Sequence, residues 1–196
     1  MDTSELTKKA HYWESQLTDE AMGWLEDRGL ARGTIRKAGL GFVPEGRYSG
    51  SISIPFWNPD GTAKGIRFRY LRPSTHKYDS LKGVKIHLYN VMATDADRVW
   101  ICEGEFDSLI LSQLGYQSVG VPGVNGFKPS WKYLFSSCDQ VTIVMDGDDA
   151  GKQGANRLAS ILGEVVPVVK LARMPIGKDV TDLFLTDVDE LRRVVE

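Results

Sequence analysis

The feature that most constrains this chain is the rhythm of its second half. From about residue 97, short apolar runs alternate with helical patterns. Residues 99–102 form an apolar run, and a helical pattern over 106–114 closes at Gly115. Residues 117–121 make the next run, with a helical stretch over 129–135. A third run spans 141–145, a helix follows over about 150–162, and a fourth run spans 165–171. Apolar strands alternating with helices mean βαβ units and a parallel sheet. The fold class is therefore α/β. In open parallel sheets, functional groups collect beyond the carboxyl ends of the strands.

The first half has a different pattern. Leu6, Ala10, Trp13 and Leu17 recur at helical spacing behind a possible capping box of Asp2 and Glu5. Thr18 can cap a second helix through Met22, Trp24 and Leu25 that stops at Gly29, and a short turn over 34–38 ends at Gly39. Between 48 and 90 the pattern changes to strands. Residues 51–54 alternate, Asn58-Pro59-Asp60-Gly61 reads as a turn, and Ile66, Phe68 and Tyr70 alternate with Arg67 and Arg69. This predicts an antiparallel hairpin. The polar stretch 94–97 places the boundary near 95. It separates a helical and antiparallel subdomain over 1–95 from an α/β domain with a C-terminal helix over 96–196.

Composition excludes several classes. With 42% apolar and 26% charged residues in 196, the chain is neither collagen-like nor disordered, and it needs no disulfide or metal staple to fold. The formal charge of −2 does not announce a polyanion binder, so only the distribution of charge can. No apolar run approaches the length of a membrane span, and the polar, acidic N-terminus is not a signal peptide. Cys102 and Cys138 lack the spacing of a zinc ribbon or a disulfide framework, which fits a reducing cytoplasm. His11, His76 and His87 have no metal spacing either, and 147–152 is too short for a phosphate-binding Walker loop.

Three strand ends deliver carboxylates to one edge. The first carries Glu103-Gly104-Glu105-Phe106-Asp107, the third Asp146-Gly147-Asp148-Asp149-Ala150-Gly151, and Lys178-Asp179-Val180-Thr181-Asp182 follows the fourth. Hard divalent cations need oxygen ligands, and Mg²⁺ usually takes one or two carboxylates with phosphates and water. Asp146 and Asp148, two apart in an extended segment, can face one side. A lone Asp-x-Asp after a strand is most often a solvated loop, and Asp149 is available as a helix cap. The combination of both acidic motifs, each directly after a parallel strand, is more specific.

On these residues the segment 97–183 resembles a Toprim domain, the fold shared by primases, topoisomerases and some nucleases. Glu103 matches that family's glutamate, and Asp146 and Asp148 match its Asp-x-Asp. Glu103 to Asp107 with Ser108-Leu109, then Val121-Pro122-Gly123, Asn125-Gly126 and Gly177-Lys178-Asp179 resemble the version found in DnaG-type and phage primases. The third acidic motif departs from the usual primase forms, with Asp179 and Asp182 in this chain. Upstream, residues 24–30, Thr34-Ile35 and Gly41-Phe42-Val43-Pro44 are similar to the start of the primase core. Ile54-Pro55-Phe56, Asp60-Gly61, residues 65–69, His76-Lys77-Tyr78, Lys85 and Leu88-Tyr89 continue it in order, so the likeness spans roughly 20–185.

The resemblance implies a DNA primase core that joins NTPs into short RNA primers on a single-stranded DNA template. It implies Mg²⁺ or Mn²⁺ held among Glu103, Asp107, Asp146, Asp148, Asp179 and Asp182. Glu103, Asp146 and Asp148 would be catalytic, Glu103 as metal ligand or general base. The expected zinc-binding and helicase modules are absent from the sequence. That suggests a phage or mobile-element replication protein in the host cytoplasm, served by a separately encoded helicase or zinc-binding template-recognition protein. Two other readings stand beside it: a metal-dependent Toprim nuclease, and a non-catalytic nucleic-acid-binding module of a replisome.

The net charge hides a basic patch. Seven Lys or Arg lie between 64 and 87, against one acid, Asp79. Such a run is ordinarily a solvated hairpin face. For a nucleotidyltransferase it is also the wall that grips template backbone and triphosphate. Arg67 and Arg69 share one strand face, and the resemblance singles out Arg69, Lys77 and Lys85.

Overall fold

In the computed structural model, described over residues 2–72, 76–85, 87–123 and 125–196, the chain forms two compact units. The first runs to His87 and the second starts at Leu88.

In the first unit, α1 (Thr3–Ser15) starts where the Asp2 carboxylate accepts from the Glu5 amide at 2.8 Å. Its Leu6, Ala10 and Trp13 are buried, at the helical spacing the sequence predicts. Helix α2 (Asp19–Glu26) is capped by Thr18, and α3 (Arg32–Ala38) ends at Gly39 in the left-handed conformation. Four antiparallel strands follow: β1 (Gly41–Val43), β2 (Ser51–Trp57), β3 (Ala63–Tyr70) and β4 (Tyr78–Ser80), in spatial order β1-β2-β3-β4. The β2–β3 turn closes with the Gly61 amide on the Asn58 carbonyl at 3.0 Å.

Phe68 is fully buried, stacked on Tyr48 at 4.0 Å and meeting Trp13 edge-on at 5.4 Å. Tyr70 stays half-buried although alternation predicts it in the core, because β3 loses its cover towards its end. Ser51 and Ser53 are buried too, so β2 is covered on both faces despite its alternating sequence.

The second unit holds a four-stranded parallel sheet in the order β6-β5-β7-β8. The chain runs β5 (Arg98–Cys102), α4 (Glu105–Gln113), β6 (Ser118–Gly120), β7 (Gln140–Val144), α5 (Asp149–Leu162) and β8 (Val168–Leu171). Helices α6 (Val180–Thr186) and α7 (Val188–Val195) complete it, and Pro129–Phe135 winds as a 3₁₀ helix. The central strands are apolar beyond their first residues except at Thr142, with Val99, Ile101, Val141 and Ile143 in one core. The Trp100 indole donates to the Val195 carbonyl at 2.8 Å and ties α7 to the sheet.

Two boundaries differ from expectation. The second unit begins at Leu88 rather than near 95, because Leu88 is in its core and Tyr89 exchanges both backbone hydrogen bonds with Gly120, at 2.9 and 3.2 Å. Strand β8 starts at Val168 rather than 165, because the Val165 and Val166 amides close the turn after α5 on the Leu162 carbonyl. Among the described residues no helix is long and apolar enough to cross a membrane.

Candidate active site

The acidic edge is built where β5, β7 and the loop after β8 end. Glu103 follows β5 and is half-buried. Gly104 caps α4 in extended backbone, placing Glu105 and Asp107 in the first turn, 2% and 9% exposed. After β7, Met145 is buried and Asp146 half-buried. Asp148, not Asp149, caps α5: its Oδ1 accepts from the Gly151 amide at 2.6 Å. Asp179 caps α6 by accepting from the Asp182 amide at 2.6 Å, while Asp182 Oδ2 accepts from the Asp179 amide at 3.4 Å. The exposed Asp182 is thus half of a capping box.

The three acidic segments meet at Asp107. Its Oδ1 accepts from the Thr181 hydroxyl at 2.9 Å and from the Thr181 amide at 3.3 Å. Burial, then the charges of Asp179 and Asp146, push its carboxyl up to about 7 against the opposing pull of Thr181. A buried carboxylate raised by two acids from other elements is the electrostatic signature of a place that suits a cation. Among the described residues no three such side chains converge into a ready-made metal cage. That fits a hard cation that takes one or two carboxylates and completes its shell with phosphate oxygen and water. The Cys102 thiol is pushed well up, by burial first and then by Asp107, so it is an inert core group.

Asp107 makes stability depend on pH. It titrates near 7 when folded and near 3.8 when exposed, so between these values the unfolded chain binds fewer protons. Stability of the cation-free second unit should therefore fall as pH rises from about 4 to 7, by about 1.4 kcal/mol per unit at the steepest. Denaturant titrations at several pH values check this. Asp107→Asn should flatten the slope, and an unchanged slope in that variant would contradict it.

Glycines fix the acidic loops. A Cβ on Gly147 would lie 1.9 Å from the Pro175 carbonyl oxygen. The Gly147 amide donates to the Lys178 carbonyl at 2.9 Å, and the Gly177 amide to the Gly147 carbonyl at 3.2 Å. The Asp146–Asp148 turn is thereby clamped to the loop that leads into Asp179. A Cβ on Gly151 would come within 2.2 Å of the Asp146 carbonyl oxygen.

The basic residues lie in the first unit. The Arg67 and Arg69 guanidiniums stand 4.8 and 5.1 Å from the Tyr78 ring centre. Arg69 also lies 5.6 Å from the Trp24 ring, over which Arg28 sits at 3.5 Å. Arg69 Nη1 donates to the Tyr70 and Lys77 carbonyls at 3.2 and 3.3 Å. Lys77 and Lys85 are exposed. Trp24 and Arg28 lie outside the run over 64–87 that marks the patch in the sequence, whereas Tyr78 interleaves with its charges. The β3–β4 register sets Tyr78 opposite Arg69. For the other pair, the signal is the four-residue interval between Trp24 and Arg28.

Comparison with known proteins agrees with this fold. A family model described as Toprim-like matches residues 100–184. The chain is 36% identical to the Gene 57 protein of Mycobacterium phage D29 over 142 residues, covering 69% of this chain and 91% of that protein. It is 23% identical to the DNA primase of Rickettsia typhi, across 91% of this chain but 38% of the primase. Among solved structures, the zinc-binding and RNA polymerase domains of Aquifex aeolicus primase superpose with a TM-score of 0.84 at 20% identity, covering 100% of this chain and 61% of that one. The DnaG primase catalytic domain bound to ssDNA superposes at 0.83 and 20% identity, across 96% of this chain and 76% of that one.

Proposed function

Because the chain belongs to the Toprim-like family, as a homologue of a phage protein with the fold of DnaG catalytic cores, we propose that it synthesises short RNA primers on single-stranded DNA. The observation that carries the reading is Asp107, buried in the first turn of α4, tied to the Asp179 loop through Thr181 and feeling the charges of Asp179 and Asp146, within that fold.

Carboxylates from among Asp107, Asp146, Asp179 and Asp148 would hold a divalent cation, with phosphate oxygen and water completing its shell. Mg²⁺ or Mn²⁺ bound there supplies positive charge against the triphosphate and favours ionisation of an attacking 3′-hydroxyl. Asp107, raised by burial first and then by Asp179 and Asp146, would ionise more readily beside a positive charge that offsets all three. Glu103, half-buried at the end of β5, completes the ligand set or accepts the hydroxyl proton. The Thr181 hydroxyl and amide hold Asp107 in place. Arg67, Arg69, Lys77 and Lys85 would contact template or nucleotide phosphates, and Trp24 and Tyr78 keep the guanidinium planes oriented.

Incorporation of labelled NTPs on single-stranded DNA, with and without Mg²⁺ or Mn²⁺, tests the reading. Metal-dependent primer products are expected. Shortened template without incorporation would make the chain a nuclease, and neither product would leave a binding module. The basic patch has its own test. Arg69→Ala and Lys77→Ala should weaken single-strand binding and lower the salt slope by about 0.7 for each phosphate that is no longer neutralised. Unchanged affinity across several salt concentrations would reduce the patch to a solvated face.

A further inference from the structure

Strand β8 is one edge of the parallel sheet, and among the described residues no strand pairs with its outer side. The Val168 amide donates to the Asp139 carbonyl at 3.2 Å, and the Ala172 amide to the Ile143 carbonyl at 2.9 Å. These even-numbered residues turn their backbone to β7, so alternation turns the N–H and C=O groups of Val169 and Leu171 outward. Edges of this kind are ordinarily blunted by charge, a bulge or a covering segment. The one charged residue of β8, Lys170, is drawn aside, its Nζ donating to the Glu196 carbonyl at 3.2 Å. Val168 and Leu171 remain 46% and 43% exposed, and their odd spacing puts them on opposite faces of the sheet.

Beside the end of this strand lies a groove of about 400 Å³. Lys152, Ala155 and Asn156 form one wall, on one face of α5, and Leu171, Arg173 and Met174 form the other. Ala155 and Met174 are buried, whereas Lys152 and Arg173 are exposed, so the floor is apolar and the rim is cationic. Asp146 closes the inner end. Lys152 pairs with Asp149 at 3.5 Å, but both side chains are more than half exposed, so the pair is weak and the lysine is available.

An open strand edge beside a helix-walled groove suits an extended peptide that adds as a further strand. Its backbone bonds the edge, and its alternate side chains enter the groove. Charge decides which peptide. A second copy of this chain would bring the same cations to the seam, which like-charge repulsion disfavours. We propose that β8 and this groove dock an extended acidic segment of another protein, with apolar residues on the floor and Asp or Glu against Lys152 and Arg173. The proposal is independent of the reaction at the acidic edge.

The test selects binders to the full chain from a phage-displayed library of random twelve-residue peptides, then measures the selected peptides in solution by fluorescence anisotropy. Saturable one-site binders of net negative charge with apolar residues are expected. Lys152→Glu and Arg173→Glu, both at exposed positions, should each weaken them at least tenfold with circular dichroism unchanged. Leu171→Pro removes one outward N–H at an edge position that tolerates proline, and should weaken them about tenfold. Backbone N-methylation of the peptide reads the same pairing with the protein left untouched. Methyl groups on alternate amides should abolish binding, and those on the intervening amides should be tolerated. No saturable binder, binders without acidic residues, affinity indifferent to both charge reversals, or tolerance of N-methylation at every position would each overturn the proposal.

Discussion

Asp146→Asn should cut primer synthesis by about 100-fold or more while the protein stays folded. The substitution keeps side-chain volume and removes the charge that Asp107 feels across the acidic edge. Asp148→Asn should behave alike for a different structural reason. Asp148 caps α5 through the Gly151 amide, and asparagine caps a helix as well as aspartate does. Both variants should melt like the wild type, and both should bind Mn²⁺ more weakly, measured by the relaxation of bound water. Near wild-type incorporation in either, with metal present, would remove these residues from the chemistry.

Gly147→Ala should be the most damaging single methyl group in the second unit. The new Cβ would meet backbone, the Pro175 carbonyl oxygen at 1.9 Å, and the Lys178 carbonyl oxygen at 3.2 Å. No flexible side chain can swing away. The 175–179 loop must move off, and the two hydrogen bonds through Gly147 stretch or break. Overpacking of this kind costs about 1–3 kcal/mol, and each broken hydrogen bond adds about 1 kcal/mol. Because that loop leads into Asp179, activity should fall with stability, and added divalent cation should restore little of it. Gly23→Ala is the control: a Cβ there meets nothing within 4 Å inside α2, so the change should be neutral or stabilising by up to about 1 kcal/mol. Thermal melts and incorporation assays of the two variants decide the matter, and equal behaviour would refute the clamp.

Much of this architecture is legible in the sequence because its cues are local. Asp2 and Thr18 cap the helices they precede, Gly39 ends α3, and the alternation of Ile66, Phe68 and Tyr70 marks β3. Runs of apolar residues identify β5 and β7 because those strands are covered on both faces. What stays hidden depends on contacts between distant segments. The unit boundary follows from the Tyr89–Gly120 bridge across 31 positions, and no local polarity signals it. The acids are legible as strand-end motifs, but their division of labour is not. Which of Asp148 and Asp149 caps α5, and that Asp182 is tied to Asp179, are matters of backbone angle. Thr181 and Gly147 sit inside the acidic motifs, but nothing in the sequence tells that one holds Asp107 and the other clamps two loops. Their importance comes from where two other loops pass.

The caps at Asp148 and Asp179 give the acidic edge an evolutionary consequence. Each carboxylate starts a helix, so a descendant that abandoned polymerisation would still lose about 1 kcal/mol by drifting to alanine there. Drift to asparagine would be nearly free for folding and fatal for cation chemistry. The choice between Asp and Asn at these two positions therefore records separately what selection asked of each lineage. On the proposed reading, acids kept at both would mark continued catalysis, and an amide at either would mark a scaffold retained after its reaction was given up. Position 107 keeps the same record with the sign reversed. There the buried charge burdens the fold, so release from catalysis should favour its neutral replacement.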